Sequence, residues 1–277
     1  MNNKVGILYI VGTPIGNLED ITLRGLKTLK SVDLIACEDT RHTQKLLNHF
    51  SISTKSESYH KFNEKSKCSR FINLLESGKD IALVSDSGMP GISDPGNILI
   101  KEVIKNNVSV IPVPGPSACI TALVASGFDI DSFIYEGFLP QKKMAKKKKL
   151  MEFEHEVRPV VFYESPKRIL ETLKAVEEVL GDREVVIARE ITKFYEEYIR
   201  GKASDVLKKL GASEVKGEIV LIIQGGIIED EAPIDIEKEV TQTMKKLNIT
   251  KKEAITFVAA RYNIMKKDVY KKTIKNS

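Results

Sequence analysis

Cysteine is scarce in this chain: only Cys37, Cys68 and Cys119 occur, an odd number at wide spacing. That pattern argues against a disulfide framework, a zinc knuckle or a CxxC redox pair, and it fits a reducing cytosol. The four histidines (His42, His49, His60 and His155) show no HExxH or similar ligand spacing, so no metal is expected. No secretory leader is expected either. The apolar run Val5 to Val11 is short and passes into Gly-Thr-Pro rather than a small-residue cleavage site. The longest uncharged run, Asn106 to Phe128, matches a membrane span in length. Its middle holds Pro112, Pro114, Gly115 and Pro116, so it reads as strand, turn and helix, and a cytoplasmic protein is expected. Neither GxGxxG nor a Walker lysine follows the first strand, which disfavours the usual phosphate grips for NAD or ATP.

What is present is a soluble globular composition, 42% hydrophobic and 29% charged over 277 residues. That length suggests about two domains and a core burying roughly three-quarters of the extended surface. The net charge of +5 is unevenly placed. From Lys142 to Lys149 all but Met144 and Ala145 are lysines, and from Lys245 onward ten Lys or Arg face only Glu253 and Asp268. Two readings stand: a polyanionic partner, or solvated loop and helix faces.

The stretch Leu83 to Gly96 organises the rest. Ile81 to Val84 reads as a buried strand, and it opens into a polar loop with three glycines and two prolines. A parallel strand ending this way places backbone amides where open α/β sheets hold ligands, with Asp86 as the first acid past the strand. An ordinary tight turn is the alternative, with Asp86 and Asp94 in Asx-turns. Further strands are expected at 6–11, 34–37, 108–113, 133–138, 159–163, 184–188 and 217–224, with 195–200 alternating. Helices are expected over 21–29 (Asp20 as N-cap), 71–75, 98–104, 118–125, 169–180 and 203–210. Strands alternating with helices give an α/β class with a mostly parallel first sheet and a second half richer in antiparallel strands. Glu38-Asp39-Thr40-Arg41 and Ser58 to Glu64 put further polar clusters at strand ends. Pro114 to Ala118 marks the domain junction, and Gly225-Gly226 with an acidic connector marks a second. Beyond it, helices at 236–247, 251–262 (capped by Thr250, interrupted at Asn263) and from about 267 suggest a small helix-turn-helix unit. It is read either as a nucleic-acid contact or as helical packing.

In this order the motifs resemble the tetrapyrrole methylase superfamily. They are Val11 to Leu18, Glu38 to Arg41, His60 to Glu64, Val84 to Pro90 with Asp94 to Gly96, and Pro114 to Ala118. In the second half come Phe162 to Arg168, Ala188 to Lys193 and Lys216 to Glu218. The resemblance runs from about Leu8 to Gln224 and is specific as an ordered set. It implies two α/β domains (1–115 and 116–225) with a cofactor cleft between them, followed by a helical, basic extension over 226–277. It implies S-adenosylmethionine as cofactor, lined by Thr13, Pro14, Ile15, Gly16, Asp86, Met89, Ser117, Ala118, Tyr163, Ala188 and Gly217. Within the superfamily the match is to enzymes that methylate the ribose 2′-oxygen of a cytidine in the decoding region of 16S ribosomal RNA in the small ribosomal subunit. A homodimer is implied by the resemblance alone.

A ribose hydroxyl is a weak acid, so a base or cation beside it would help its attack on the methyl group. Glu38, Asp39, Arg41, His60 and Glu64 are the candidates, unranked, and a structural salt bridge from Glu38 or Asp39 to Arg41 is the alternative. Lys142, Lys143, Lys146, Lys147, Lys167, Arg168 and Arg189 are expected to touch RNA phosphates. Two competing readings keep the fold but change what it does. One is a small-molecule methylase, which has no evident use for basic clusters. The other is a non-catalytic ribosome-assembly protein, which has none for an intact Asp86 loop.

Overall fold

The computed structural model of the chain describes residues 5–211, 214–226, 235–262 and 264–273. Two compact units are present: residues 1–121 with 190–196, and residues 122–189 with 197–277.

The first unit is built on β1 (Ile7–Val11), β2 (Leu34–Cys37), β3 (Ser56–Ser58), β4 (Ile81–Val84) and β5 (Ser109–Val113), in the order β3-β2-β4-β1-β5. Every pairing in it is parallel. Strand side chains alternate between faces, so Leu8, Ile10 and Leu83 enter one core while Val11, Ala82 and Val84 enter the other. Helices α1 (Leu23–Ser31) and α2 (Thr40–His49) close the second face through Leu29, Leu46 and Leu47. On the first face, α3 (Glu64–Glu76) and α4 (Asn97–Lys105) bring Phe71, Leu75, Leu99 and Val103. The neighbours β1 and β4 therefore send their chains to opposite faces, which opens the crevice at their C-terminal ends where sheets of this kind bind ligands. Asp20 does not cap α1; it lies in a single 3-10 turn, and Thr22 accepts the Gly25 N–H at 3.0 Å instead.

The boundary falls within α5 (Ala118–Val124). The second unit holds β6 (Ile134–Phe138), β7 (Val160–Glu164), β8 (Glu184–Arg189), β9 (Glu197–Lys202) and β10 (Ile219–Ile223), in the order β6-β7-β10-β8-β9. Only β6–β7 is parallel; the other three pairings are antiparallel. Helices α6 (Lys143–Met151), α7 (Ile169–Leu180) and α8 (Ala203–Gly211) bury Leu150, Leu173, Val176 and Val206 against Phe162, Ile187 and Leu221.

The C-terminal helices α9 (Ile236–Leu247), α10 (Lys251–Arg261) and α11 (Lys266–Lys272) share a small core of Ile236, Val240, Ile255, Val258 and Val269. Thr250 does cap α10, in a reciprocal capping box with Glu253. This extension seats on the second unit: Leu247 joins its main core, and Glu154 binds both Lys246 (2.8 Å) and Arg261 (2.6 Å). Part of the tail's positive charge is thereby used internally. The acidic connector after Gly226 and the break at Asn263 lie outside the described residues.

Candidate active site

Three loops meet at the C-terminal ends of β1, β4 and β5. Thr13 and Gly88 exchange backbone hydrogen bonds in both directions, at 2.9 and 3.1 Å, which ties the β1 loop to the β4 loop. The buried Thr13 hydroxyl donates to the Ser85 carbonyl at 3.1 Å, and the Ser85 hydroxyl donates to Gly88 O at 3.2 Å. Gly12 N–H donates to Val113 O at 3.2 Å, and a Cβ placed on Gly12 would stand 2.6 Å from Met89 Sδ and 2.7 Å from Gly115 Cα. A Cβ on Gly88 would lie 3.5 Å from both Ile15 Cγ2 and Pro116 O, and Gly88 holds a φ of +78° that favours glycine. The Thr13–Gly16, Asp86–Met89 and Ser117–Ala118 segments are thus brought together within the first unit.

Carboxylates gather beside them. The Asp39 N–H donates to Asp86 Oδ1 at 3.1 Å, joining the ends of β2 and β4. Glu38 is half-buried, and that burial, followed by the charges of Asp86, Asp94 and Asp39, pushes its carboxyl above the ordinary range. Burial and then Asp86 push Asp94 the same way, against a hydrogen bond with Ser85 that lowers it. Asp39 behaves differently. It caps α2 by accepting the Arg41 N–H at 2.8 Å, and the Arg41 guanidinium holds its carboxyl below the usual range. Arg41 is 90% exposed, so this pair is a surface ion pair of small worth. His60 N–H donates to Asn63 Oδ1 at 2.8 Å, and His60 Nε2 sits 3.2 Å from Asn63 Nδ2. His60 Nδ1 is buried without a partner among the described residues. Glu64 opens α3, its N–H bonded to His60 O at 3.0 Å.

In the second unit Tyr163 and Ala188 flank the same residue, Val220 of β10, from either side. Gly217, with φ +90°, stands two residues before that strand. All three therefore lie at one end of the second sheet, where the Tyr163 ring also packs edge-on to Tyr135 and Phe138.

The expected phosphate contacts divide. Lys142, Lys143 and Lys167 are exposed. Lys146 and Lys147 are not available for RNA: the run folds as α6 and turns both inward, 2% and 7% exposed. Lys146 Nζ donates to Thr172 Oγ1 at 2.9 Å, Thr172 donates to Glu164 Oε2 at 2.7 Å, and Lys147 pairs with Glu178. Arg168 is spent on Leu139 O, Pro140 O and Glu164, and Arg189 on Glu197 and Lys216 O. Because α6 packs on the second unit's core, the 3.6-residue period turns part of its lysine run inward. Among the described residues no group of three or more potential metal ligands occurs, and no helix is long and apolar enough to cross a membrane.

Two features escaped sequence reasoning. Asp94 joins the carboxylate group, whereas from the sequence it reads as part of a motif or an Asx-turn and not as a site residue. Residues 190–196 pack with the first unit, against Gly16, and no local pattern announces it.

Residues 7–207 match the family model for tetrapyrrole (corrin/porphyrin) methylases, and the chain belongs to that family. It is an S-adenosylmethionine-dependent methyltransferase. Among its relatives, the ribosomal RNA small subunit methyltransferase I of Bacillus subtilis is 44% identical over 97% of this chain and 94% of that protein. The protein of the same name from Vibrio cholerae is 46% identical over 99% and 96%. Among solved structures, the methyltransferase CobJ superposes with a TM-score of 0.61 at 15% identity, covering 82% of this chain and 98% of that one. Uroporphyrin-III C-methyl transferase from Thermus thermophilus, complexed with S-adenosyl homocysteine, gives a TM-score of 0.57 at 17% identity, over 79% and 97%. At such identities these two show the fold. The first-unit site fits the cofactor chemically: half-buried carboxylates suit its ammonium, hydroxyl and sulfonium groups, and the close Gly12–Gly115 approach holds the β1 and β5 loops together beside them.

Proposed function

We propose that the chain methylates the ribose 2′-oxygen of a cytidine in the decoding region of 16S ribosomal RNA, acting on the small ribosomal subunit in the cytoplasm as a homodimer. The observation carrying this reading is the near full-length identity of 44–46% to relatives named for methylation of small-subunit ribosomal RNA. The methyltransferase CobJ and the uroporphyrin-III enzyme share the fold at 15–17% identity, too distant to assign a substrate.

Bound S-adenosylmethionine supplies a methyl group already activated on a sulfonium. The protein's work is then positioning. Thr13 to Gly16, Asp86, Met89, Ser117 and Ala118 hold the cofactor from the first unit. Glu38 accepts the ribose hydroxyl proton as its oxygen attacks: burial and neighbouring carboxylates raise its basicity above that of an ordinary carboxylate. Asp39, held low by Arg41, is the weaker base, and Arg41 stays protonated. His60 and Glu64 position the β3–α3 corner. Lys142, Lys143 and Lys167 steer phosphates without choosing sequence.

The test is methyl transfer from labelled S-adenosylmethionine to undermethylated small subunits, followed by nuclease digestion and mass spectrometry. A 2′-O-methylcytidine resistant to alkaline cleavage is expected. A methyl group on a base would overturn the ribose assignment, and failure to label the subunit would overturn the substrate.

A further inference from the structure

Residues 190–196 leave β8 and return as β9, yet they belong to the first unit. This strap is held firmly. Ile191 is buried, and Glu190 (φ 50°) and Thr192 (φ 67°) both occupy the left-handed region, which persists in such residues only where the surroundings enforce it. Lys193 N–H donates to Glu190 O at 2.9 Å, Thr192 N–H to Glu196 Oε2 at 2.5 Å, and Glu196 N–H to Lys193 O at 3.1 Å. The strap presses on the cofactor loop: a Cβ on Gly16 would stand 2.6 Å from both Thr192 Oγ1 and Lys193 Cγ. What it holds outward is an aromatic pair. Phe194 is 93% exposed and Tyr195 72%, with ring centroids 5.0 Å apart and planes at 89°.

We propose that Phe194 and Tyr195 form a stacking platform for unpaired bases of the RNA substrate beside its target nucleotide. This deepens the proposed function and rests on it. Single-stranded RNA is gripped by rings that stack on any base face, and a rigid support spares the entropy of ordering them. The platform stands one residue past the contact with Gly16, so stacked bases would sit next to the methyl donor. A second copy of the chain fits this surface less well. Two rings offer about 150–250 Å² each, far short of the roughly 800 Å² per partner of a stable interface, and charged Lys193, Glu196 and Glu197 border them.

The experiment compares wild type with Phe194→Ala, Tyr195→Ala, the double variant and Phe194→Trp. KM for undermethylated small subunits should rise roughly fivefold to a hundredfold per ring removed, with S-adenosylmethionine affinity unchanged by calorimetry. Phe194→Trp should restore KM. Because the chain has no tryptophan, the fluorescence of that variant reports on one site, and an unpaired RNA oligonucleotide should quench it. A folded double variant with wild-type KM overturns the platform, as does an unquenched Phe194→Trp. A halved molar mass of the double variant in light scattering would make the pair a self-association surface instead. Quenching is read without methyl transfer, so an inactive wild type would count against the ribosomal RNA reading and leave the platform to be judged by fluorescence.

Discussion

Gly12 and Gly115 meet backbone to backbone: a Cβ on Gly115 would lie 2.8 Å from Gly12 Cα and 2.9 Å from Gly12 O. Neither position has room for a methyl group: Gly115 faces main chain alone, and Gly12 faces main chain together with Met89 Sδ. Gly115→Ala should therefore lower stability by about 1–3 kcal/mol, an overpacking penalty, and weaken cofactor binding by parting the β1 and β5 loops. Gly211→Ala is the control. Nothing stands within 4 Å of a Cβ there, at the end of α8, so that change should be neutral or stabilising by a few tenths of a kcal/mol. Thermal unfolding with and without S-adenosylmethionine checks both.

Asp86 faces the Asp39 N–H and stands among the proposed cofactor ligands. Removing a charged hydrogen-bond partner predicts a loss of roughly 1.5–3 kcal/mol in S-adenosylmethionine binding for Asp86→Ala, with the fold retained. Calorimetry on the folded variant reads this directly, and unchanged affinity would remove Asp86 from the site.

Glu38 and Asp94 carry a pH signature. Both are raised in the folded protein, first by burial, so the fold favours their neutral forms. The stability they lend is complete below the ordinary carboxylate range and is lost as pH rises through the raised folded value. At neutral pH their charges oppose folding. Glu38→Gln should accordingly melt higher than wild type at pH 7–8, with the gap closing below about pH 4. Glu156 works in the opposite sense. Arg158 holds it down to about 2, so its contribution is present at neutral pH and lost as acid is added. A Tm series across pH on Glu38→Gln with a constant gap would contradict the burial assigned to Glu38.

The lysine run should separate into two phenotypes. Lys142→Ser with Lys143→Ser should leave Tm in place while weakening subunit binding and flattening its salt dependence, by up to about one unit of slope for each phosphate no longer neutralised. Lys146→Ser should instead destabilise the second unit by about 1–3 kcal/mol, leaving the Thr172–Glu164 network short of a donor. Filter binding at several salt concentrations and thermal melts distinguish them. Equal salt slopes would make the exposed lysines mere solvated surface.

Much of this was legible in the sequence for identifiable reasons. β2 and β4 were readable to the residue because short apolar runs between polar loops have one way to be buried, and α7 and α9 because their apolar residues repeat at helical spacing. The Asp86 and Pro-Gly-Pro-Ser-Ala loops stood out through their glycines and prolines. Long-range contacts left no local mark. The inward turn of Lys146 depends on Thr172 and Glu164, and the α1 cap passed from Asp20 to Thr22 because a 3-10 turn intervened. Asp94 became a neighbour of Glu38 only through the folding of the β4 loop.

The placement of residues 190–196 bears on how the molecule is made. All five strands of the first sheet are available once Val113 has been synthesised, yet the segment that packs against Gly16 is made only after β6, β7 and β8. Domains generally fold in the order in which they leave the ribosome. Here the first-made unit must wait for a late visitor, so the Thr13–Gly16 loop gains its last support only when three of the second unit's five strands have been translated. A nascent chain released early would carry a complete parallel sheet and a Gly16 loop still without its strap.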